Sequence, residues 1–280
     1  MKYLYRGLLG LFLMCFCVTN SVAQIEFENE KKYQKTLKAT GFTQYPPFGY
    51  IDDPRHPSNF ESLFGDILKE FAETHKYEIE FEVNDKYETL ARKVRRGDID
   101  LLFGAYFETE VYKGVELVFP AVISNPVTVI MLPHRIGEVS SVEDLRKLKG
   151  VVNTTEVFTD YVSEQLRRFN VEKVSDSDEA FEKLFTSKAD YIITSYYFGV
   201  IEAARLGLKN KVSFSKQVLW EMPLFLGVSK LSTYREDLIK TLQKLFEDPK
   251  TKEAVKQNME RIVKNYEQMY MGAVPPLYSQ

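Results

Sequence analysis

Tyr45 and Phe48 flank the Pro46-Pro47 pair, and two aromatic faces on a proline-stiffened loop suit stacking against a small molecule. Gly104 and Ala105 end the apolar run that follows Gly97-Asp98-Ile99-Asp100, where small residues let backbone groups line a cleft. Thr154 and Thr155 precede an amphipathic stretch. If they open a helix, its first free N–H groups favour an anionic or carbonyl group, and a plain helix cap is the equal alternative. Ser195 closes the run Tyr191-Ile192-Ile193-Thr194 with a hydroxyl and no charge. Tyr106, Phe107, Tyr112, Tyr196 and Tyr197 add rings near the same strand ends, and such walls suit a planar, apolar or cationic molecule.

Nothing comparable points to catalysis. His56, His75 and His134 stand apart, without the spacing of metal ligands. Glu108 and Glu110 alternate across a turn and read as solvated, and no glycine-rich phosphate cradle occurs. Neither an enzyme nor a metal or other cofactor is therefore expected.

The chain opens with an address. Lys2 and Arg6 precede the apolar residues 8–18, and Ser21-Val22-Ala23 supplies a small-x-small cleavage pattern, so residues 1–23 read as a signal peptide. Export to the periplasm or beyond is the expectation. The apolar run falls short of the roughly 18 residues a spanning helix needs, so no membrane insertion is expected after cleavage. Both cysteines, Cys15 and Cys17, leave with the leader, and the mature chain must hold together without disulfides. With 37 Lys and Arg against 40 Asp and Glu, and Lys2 and Arg6 in the leader, the mature chain is mildly acidic with interspersed signs. Nucleic acid is not an expected partner.

The elements that must position these residues alternate. Strands are predicted at residues 36–43, 79–83 and 99–103, with helices carrying Leu63, Phe64, Ile67, Leu68, Phe71 and Ala72 and then spanning residues 87–96. A second unit repeats the plan with strands at 150–152, 172–174 and 191–193. Its first helix carries Val157, Phe158, Tyr161, Val162 and Leu166, and its second covers residues 180–185. Superimposing Asp190 on Asp100 aligns the two halves. The pattern defines an α/β protein with mostly parallel sheets, whose strand ends meet at a shared crevice. Two C-terminal helices, with Leu238, Leu242, Leu245 and Phe246 on one stripe and Ala254, Val255, Met259, Ile262, Val263 and Tyr266 on another, are expected to pack on the first lobe.

The order of Tyr45-Pro46-Pro47-Phe48, a helix holding Asp66, Gly97-Asp98-Ile99-Asp100, Thr109-Glu110, Phe119-Pro120 and Thr154-Thr155 resembles the bacterial extracellular solute-binding proteins of family 3. These are periplasmic amino-acid-type binding proteins of ABC transporters. The resemblance covers nearly the whole mature chain. It implies the type II periplasmic binding protein fold, in which two doubly wound lobes are joined by crossing strands, here near residues 121–132 and 218–228. Lobe 1 would comprise residues 24–124 with 221–280, and lobe 2 residues 125–220. It further implies a monomer that closes over one small-molecule solute and presents it to an ABC permease. A sensor feeding a membrane receptor and a dehydratase-like enzyme on the same fold are the alternatives.

Carried over residue by residue, the resemblance implies solute contacts from Tyr45, Phe48, Gly104 and Ala105, to which the residues themselves add Phe107, Thr154 and Thr155 as candidates. The family's arginine, which forks onto an α-carboxylate, falls on Tyr112 counting from Thr109 and on Lys113 counting back from Phe119. The family's acidic anchor for the ammonium group falls on Ser195. A buried carboxylate without its charged partner loses roughly 3 to 5 kcal/mol, and about 1.4 kcal/mol is tenfold in affinity. A standard α-amino acid is therefore not the expected solute, and a polar amino acid held by Lys113 is the alternative. Phe225, where the family has a glycine after Pro223, would fill the pocket base or simply the core.

Overall fold

In the computed structural model, the described residues are 35–42, 44–50, 62–82, 87–106 and 113–271. Residues 1–34, His56, Glu108, Glu110 and residues 274–278 lie outside them, as do the candidates Phe107 and Tyr112.

The first unit runs β1 (Lys35–Gly41), the short β2 (Gln44–Tyr45) and β3 (Gly49–Tyr50), α1 (Leu63–His75), β4 (Tyr77–Phe81), α2 (Tyr87–Arg96) and β5 (Leu101–Tyr106). Apolar residues at helical spacing decide α1, which buries Leu63, Phe64, Ile67, Leu68, Phe71 and Ala72. Ser62 caps it by accepting from the Gly65 N–H at 2.9 Å, and Lys76 ends it in the left-handed region at φ 59°. The second unit runs β7 (Gly150–Asn153), α3 (Asp160–Leu166), β8 (Val171–Val174), α4 (Ser177–Phe185), β9 (Tyr191–Ser195) and α5 (Tyr196–Arg205).

Two long strands connect the units. β6 (Val115–Met131) has 17 residues and β11 (Trp220–Ser229) has 10, and they pair antiparallel from Val115 with Ser229 to Val127 with Trp220. At about 3.3 Å per residue β6 extends roughly 56 Å, several times the width of one lobe's strand set. The resulting order is β4-β1-β5-β11-β6-β9-β7-β8, with β10 (Ser213–Phe214) also on β6. β4-β1-β5 and β8-β7-β9 are parallel, whereas β11 and β6 pair antiparallel with their neighbours. The fold is thus α/β, two doubly wound lobes joined by two crossing strands.

The lobes share a structural device. The Lys38 N–H donates to Asp100 Oδ2 at 3.0 Å while the Asp100 N–H donates to the Lys38 carbonyl at 3.0 Å. In the other lobe the Lys149 N–H donates to Asp190 Oδ2 at 2.7 Å and the Asp190 N–H to the Lys149 carbonyl at 2.7 Å. Each aspartate therefore ties the start of its lobe's third strand to the first.

The hydrophobic core is continuous across the seam, with Leu37, Tyr45, Phe48 and Tyr106 from one lobe in the same cluster as Tyr191 and Ile193 from the other. The C-terminal region is α6 (Arg235–Glu247) and α7 (Pro249–Met271). The sequence places both on the first lobe, but α7 reaches further. Arg261 pairs with Asp66 of α1 at 2.8 Å, while Glu267 pairs with Lys209, beyond α5, at 2.8 Å. Its 23 residues give a rod of roughly 34 Å, long enough to cross the seam and pack on α5.

Candidate ligand site at the seam

Tyr45 is held before it meets any solute. Its carbonyl accepts from the Phe48 N–H at 3.0 Å, closing the turn, and the Pro47 carbonyl accepts from the Leu63 N–H at 3.1 Å, fastening the turn to α1. The Tyr45 ring lies between two others. Phe198 of α5 stacks on it at 5.3 Å and 15°, and Phe48 stacks at 5.9 Å and 21°. Tyr197 meets Phe48 edge-on at 5.9 Å, so the lobes interlock through rings.

The polar end of Tyr45 completes the link. Its hydroxyl lies 2.8 Å from Ser195 Oγ, both residues being buried. The Ser195 N–H in turn donates to Glu156 Oε2 at 2.8 Å. Glu156 is only 7 % exposed, and burial pushes its carboxyl up to about 8 against the opposing pull of hydrogen bonds from Ser195 and Thr194. Near neutral pH it is mostly protonated. Burial, with Tyr106 and Glu156 nearby, also raises Tyr45 well above the ordinary phenol value, so its hydroxyl stays neutral. Asn125, fully buried on β6, donates through Nδ2 to the Tyr106 hydroxyl at 3.2 Å, but its Oδ1 has no hydrogen-bond partner.

The cluster therefore carries two acceptors that a guest could engage, Glu156 and Asn125 Oδ1, inside aromatic walls. Among the described residues no Lys or Arg pairs with either. The chemistry favours a guest that donates hydrogen bonds or carries positive charge.

The structure brings Tyr45, Phe48 and Ser195 together and sets the other described candidates differently. Gly104 sits in β5 at φ 73°, and an added Cβ would lie 2.5 Å from Phe42 Cδ2, so its lack of a side chain serves a tight backbone approach. Ala105 is fully buried opposite Phe225. Thr154 and Thr155 are exposed, and they do not open the helix. Thr154 N and Oγ1 both donate to the Val174 carbonyl, at 2.9 and 3.0 Å, and Thr155 N and Oγ1 both donate to Asn153 Oδ1, at 2.8 and 2.9 Å. The helix starts at Asp160, where Thr159 accepts from the Val162 N–H. Lys113 is exposed in the turn before β6, next to the pairing of Val115 with Ser229. That pairing adjoins Leu101, the start of β5, so Lys113 stands at the opposite end of the sheet from Tyr106 and outside the cluster. Phe225 packs on Phe119 at 5.1 Å as core, and Tyr196 is 41 % exposed against Phe214.

Glu156, Asn125 and Phe198 are the members that sequence reasoning misses. A glutamate after two threonines reads as solvated, and only the approach of β9 shows what covers it. Phe198, three residues after Ser195, is the one with a legible signal, since it continues the aromatic run of Tyr196-Tyr197. Among the described residues no group of His, Cys, Asp and Glu is arranged to hold a metal, and no helix is long and apolar enough to cross a membrane.

No family model matches the chain, and no curated protein matches it either. Solved structures do. The GluR0 ligand-binding core in complex with L-glutamate superimposes with a TM-score of 0.64 at 14 % identity, over 81 % of this chain and 98 % of that one. A putative binding component of an ABC transporter from Wolinella succinogenes, complexed with lysine, gives 0.64 at 19 % identity over 82 % and 96 %. An ancestral amino-acid-binding protein, described as a precursor of cyclohexadienyl dehydratase, gives 0.58 at 18 % over 81 % and 95 %. This chain has the fold of these binding proteins.

Proposed function

We propose that the chain is an exported solute-binding receptor resembling family 3, which closes its two lobes over a small molecule and hands it to an ABC-type permease. The observation that carries this is the bond between Tyr45 and Ser195, which joins the two lobes inside a buried polar cluster. The leader sequence supports a periplasmic or secreted location. Domain limits of 24–124 with 221–280 and of 125–220 suit a hinge at β6 and β11.

The solute we favour is an amine or guanidinium that needs no carboxylate anchor. Glu156 supplies an acidic group beside Ser195, where the family's acidic anchor is missing, whereas none of the described residues of the cluster replaces the arginine. Lys113, far along the sheet, gives the polar amino-acid alternative little support. Receptor rather than enzyme is the reading, because the described residues of the cluster offer one carboxyl and no paired nucleophile.

Calorimetric titration of the mature chain with monoamines, polyamines, guanidines, α-amino acids, carboxylates and sugars tests this. A cationic solute should bind saturably and without turnover, and release a proton from Glu156 below about pH 8, visible as heat that varies with buffer. Tight binding of an ordinary α-amino acid in preference to every carboxylate-free cation contradicts the solute assignment.

A further inference from the structure

A cavity of about 660 Å³ lies in the second lobe beneath α3; Glu156 borders both it and the seam, but none of the seam's aromatic residues lines it. Its walls follow from local periodicity. Ser163, Leu166 and Arg167 occupy one face of α3 at helical spacing, and Val171 and Lys173 share one face of β8 at strand spacing. The other face of β8 is committed elsewhere, with Glu172 paired to Lys183 at 3.0 Å. Phe158 and Phe169 complete an apolar lining, and the volume falls within the range of small-molecule pockets.

Charge is segregated along this cavity. Arg167 and Lys173 are exposed, and neither pairs with a carboxylate among the described residues. At the inner end sits the buried Glu156 carboxyl. An anionic head is drawn to the two cations at the mouth rather than to the buried, protonated acid within, leaving the body of the guest against the rings.

We propose that this cavity is a second binding site, for a small amphipathic monocarboxylate whose acid group lies between Arg167 and Lys173 and whose apolar body packs on Phe158, Leu166 and Phe169. The two sites share Glu156, but this one takes its charge preference from Arg167 and Lys173, which play no part in the seam reading.

The test uses phenylacetate as probe, titrated into the full mature chain by calorimetry. Saturable one-site binding is expected, weakened about tenfold or more in the R167A/K173A variant and about tenfold for neutral 2-phenylethanol. Leu166→Trp, which fills the cavity, should abolish it, and Tyr45→Ala should leave it unchanged. Both cations are exposed, so their removal does not threaten folding, and urea melts confirm that. Absence of saturable phenylacetate binding, or binding indifferent to R167A/K173A, overturns the proposal without touching the seam reading. Phenylacetate binding lost only in Tyr45→Ala would place the probe at the seam and equally overturn it.

Discussion

The Tyr45 hydroxyl and Ser195 Oγ stand 2.8 Å apart although 150 residues separate them, one on a turn of the first lobe and the other at the end of a second-lobe strand. A bond of this kind forms only when the lobes are together. Under the proposed closure it is both a contact of the closed state and a reporter of closing.

Tyr45→Phe should retain the stacks on Phe198 and Phe48 and lose that bond. A buried hydrogen bond contributes about 1 kcal/mol, so solute affinity should fall roughly fivefold, with more opening seen by small-angle scattering. Tyr45→Ala also removes the ring and should weaken binding more than about tenfold. Equal affinities in all three proteins would place the turn outside the site.

Glu156 sets the pH response. Its folded-state value of about 8 lies above the ordinary 4.5, so the folded protein holds a proton that the unfolded chain releases. The stability this contributes is full below about pH 4.5, declines as pH rises to about 8 and is flat beyond. The slope approaches at most about 1.4 kcal/mol per pH unit. Glu156→Gln should flatten it, with the variant more stable than the parent at pH 8. Urea melts at pH 5 and pH 8 that give the same difference for both proteins would contradict this.

The paired aspartates should behave alike. Asp100→Ala and Asp190→Ala each strip a backbone N–H of its acceptor, and a loss of about 1 to 3 kcal/mol is expected in urea melts. Asp190 should lose more, because Arg135 also pairs with it. Burial opposes ionisation of Asp190, but bonds from Lys149 and Arg135 win and hold it below the ordinary carboxylate range. Its contribution is present above the ordinary value of 3.8 and disappears as pH falls through the depressed one, the reverse of Glu156. An Asp190→Ala protein as stable as the parent at pH 7 would refute the shared role.

Glu267→Lys should loosen the bridge that α7 makes between the lobes, by setting like charge against Lys209. The Lys209 side chain is 46 % exposed and that of Glu267 16 %, so the pair is partly screened and contributes about 1 kcal/mol, and the melt should move little beyond that. Scattering should nonetheless show a larger radius of gyration for the free protein. An unchanged radius would mean that the packing of α7 on α5 holds the lobes without the ion pair.

The fold was legible because its signals are local. Helical spacing in α1 and the aspartate before each third strand announce the two lobes, and both depend on residues close in sequence. Tyr45 and Phe48 stand out in the sequence as rings on a stiff turn, and the structure places both at the seam near Ser195. The helix expected to open at Thr154 and Thr155 starts at Asp160 instead, because the Thr154 N–H goes to the Val174 carbonyl and Asn153 competes locally for the Thr155 N–H. Lys113 lies at the far end of the sheet, which a count along the chain could not show because it does not say which end of a sheet the chain has returned to. Glu156 was invisible because its burial is imposed by β9, some forty residues later.

The most direct test is a crystal structure of the mature chain with a cationic solute identified by titration. The account predicts that solute between the lobes, its charged group within hydrogen-bond distance of Glu156 and its body against the Tyr45 or Phe198 ring. A solute bound elsewhere, with Tyr45 still bonded to Ser195 and Glu156 untouched, would contradict it.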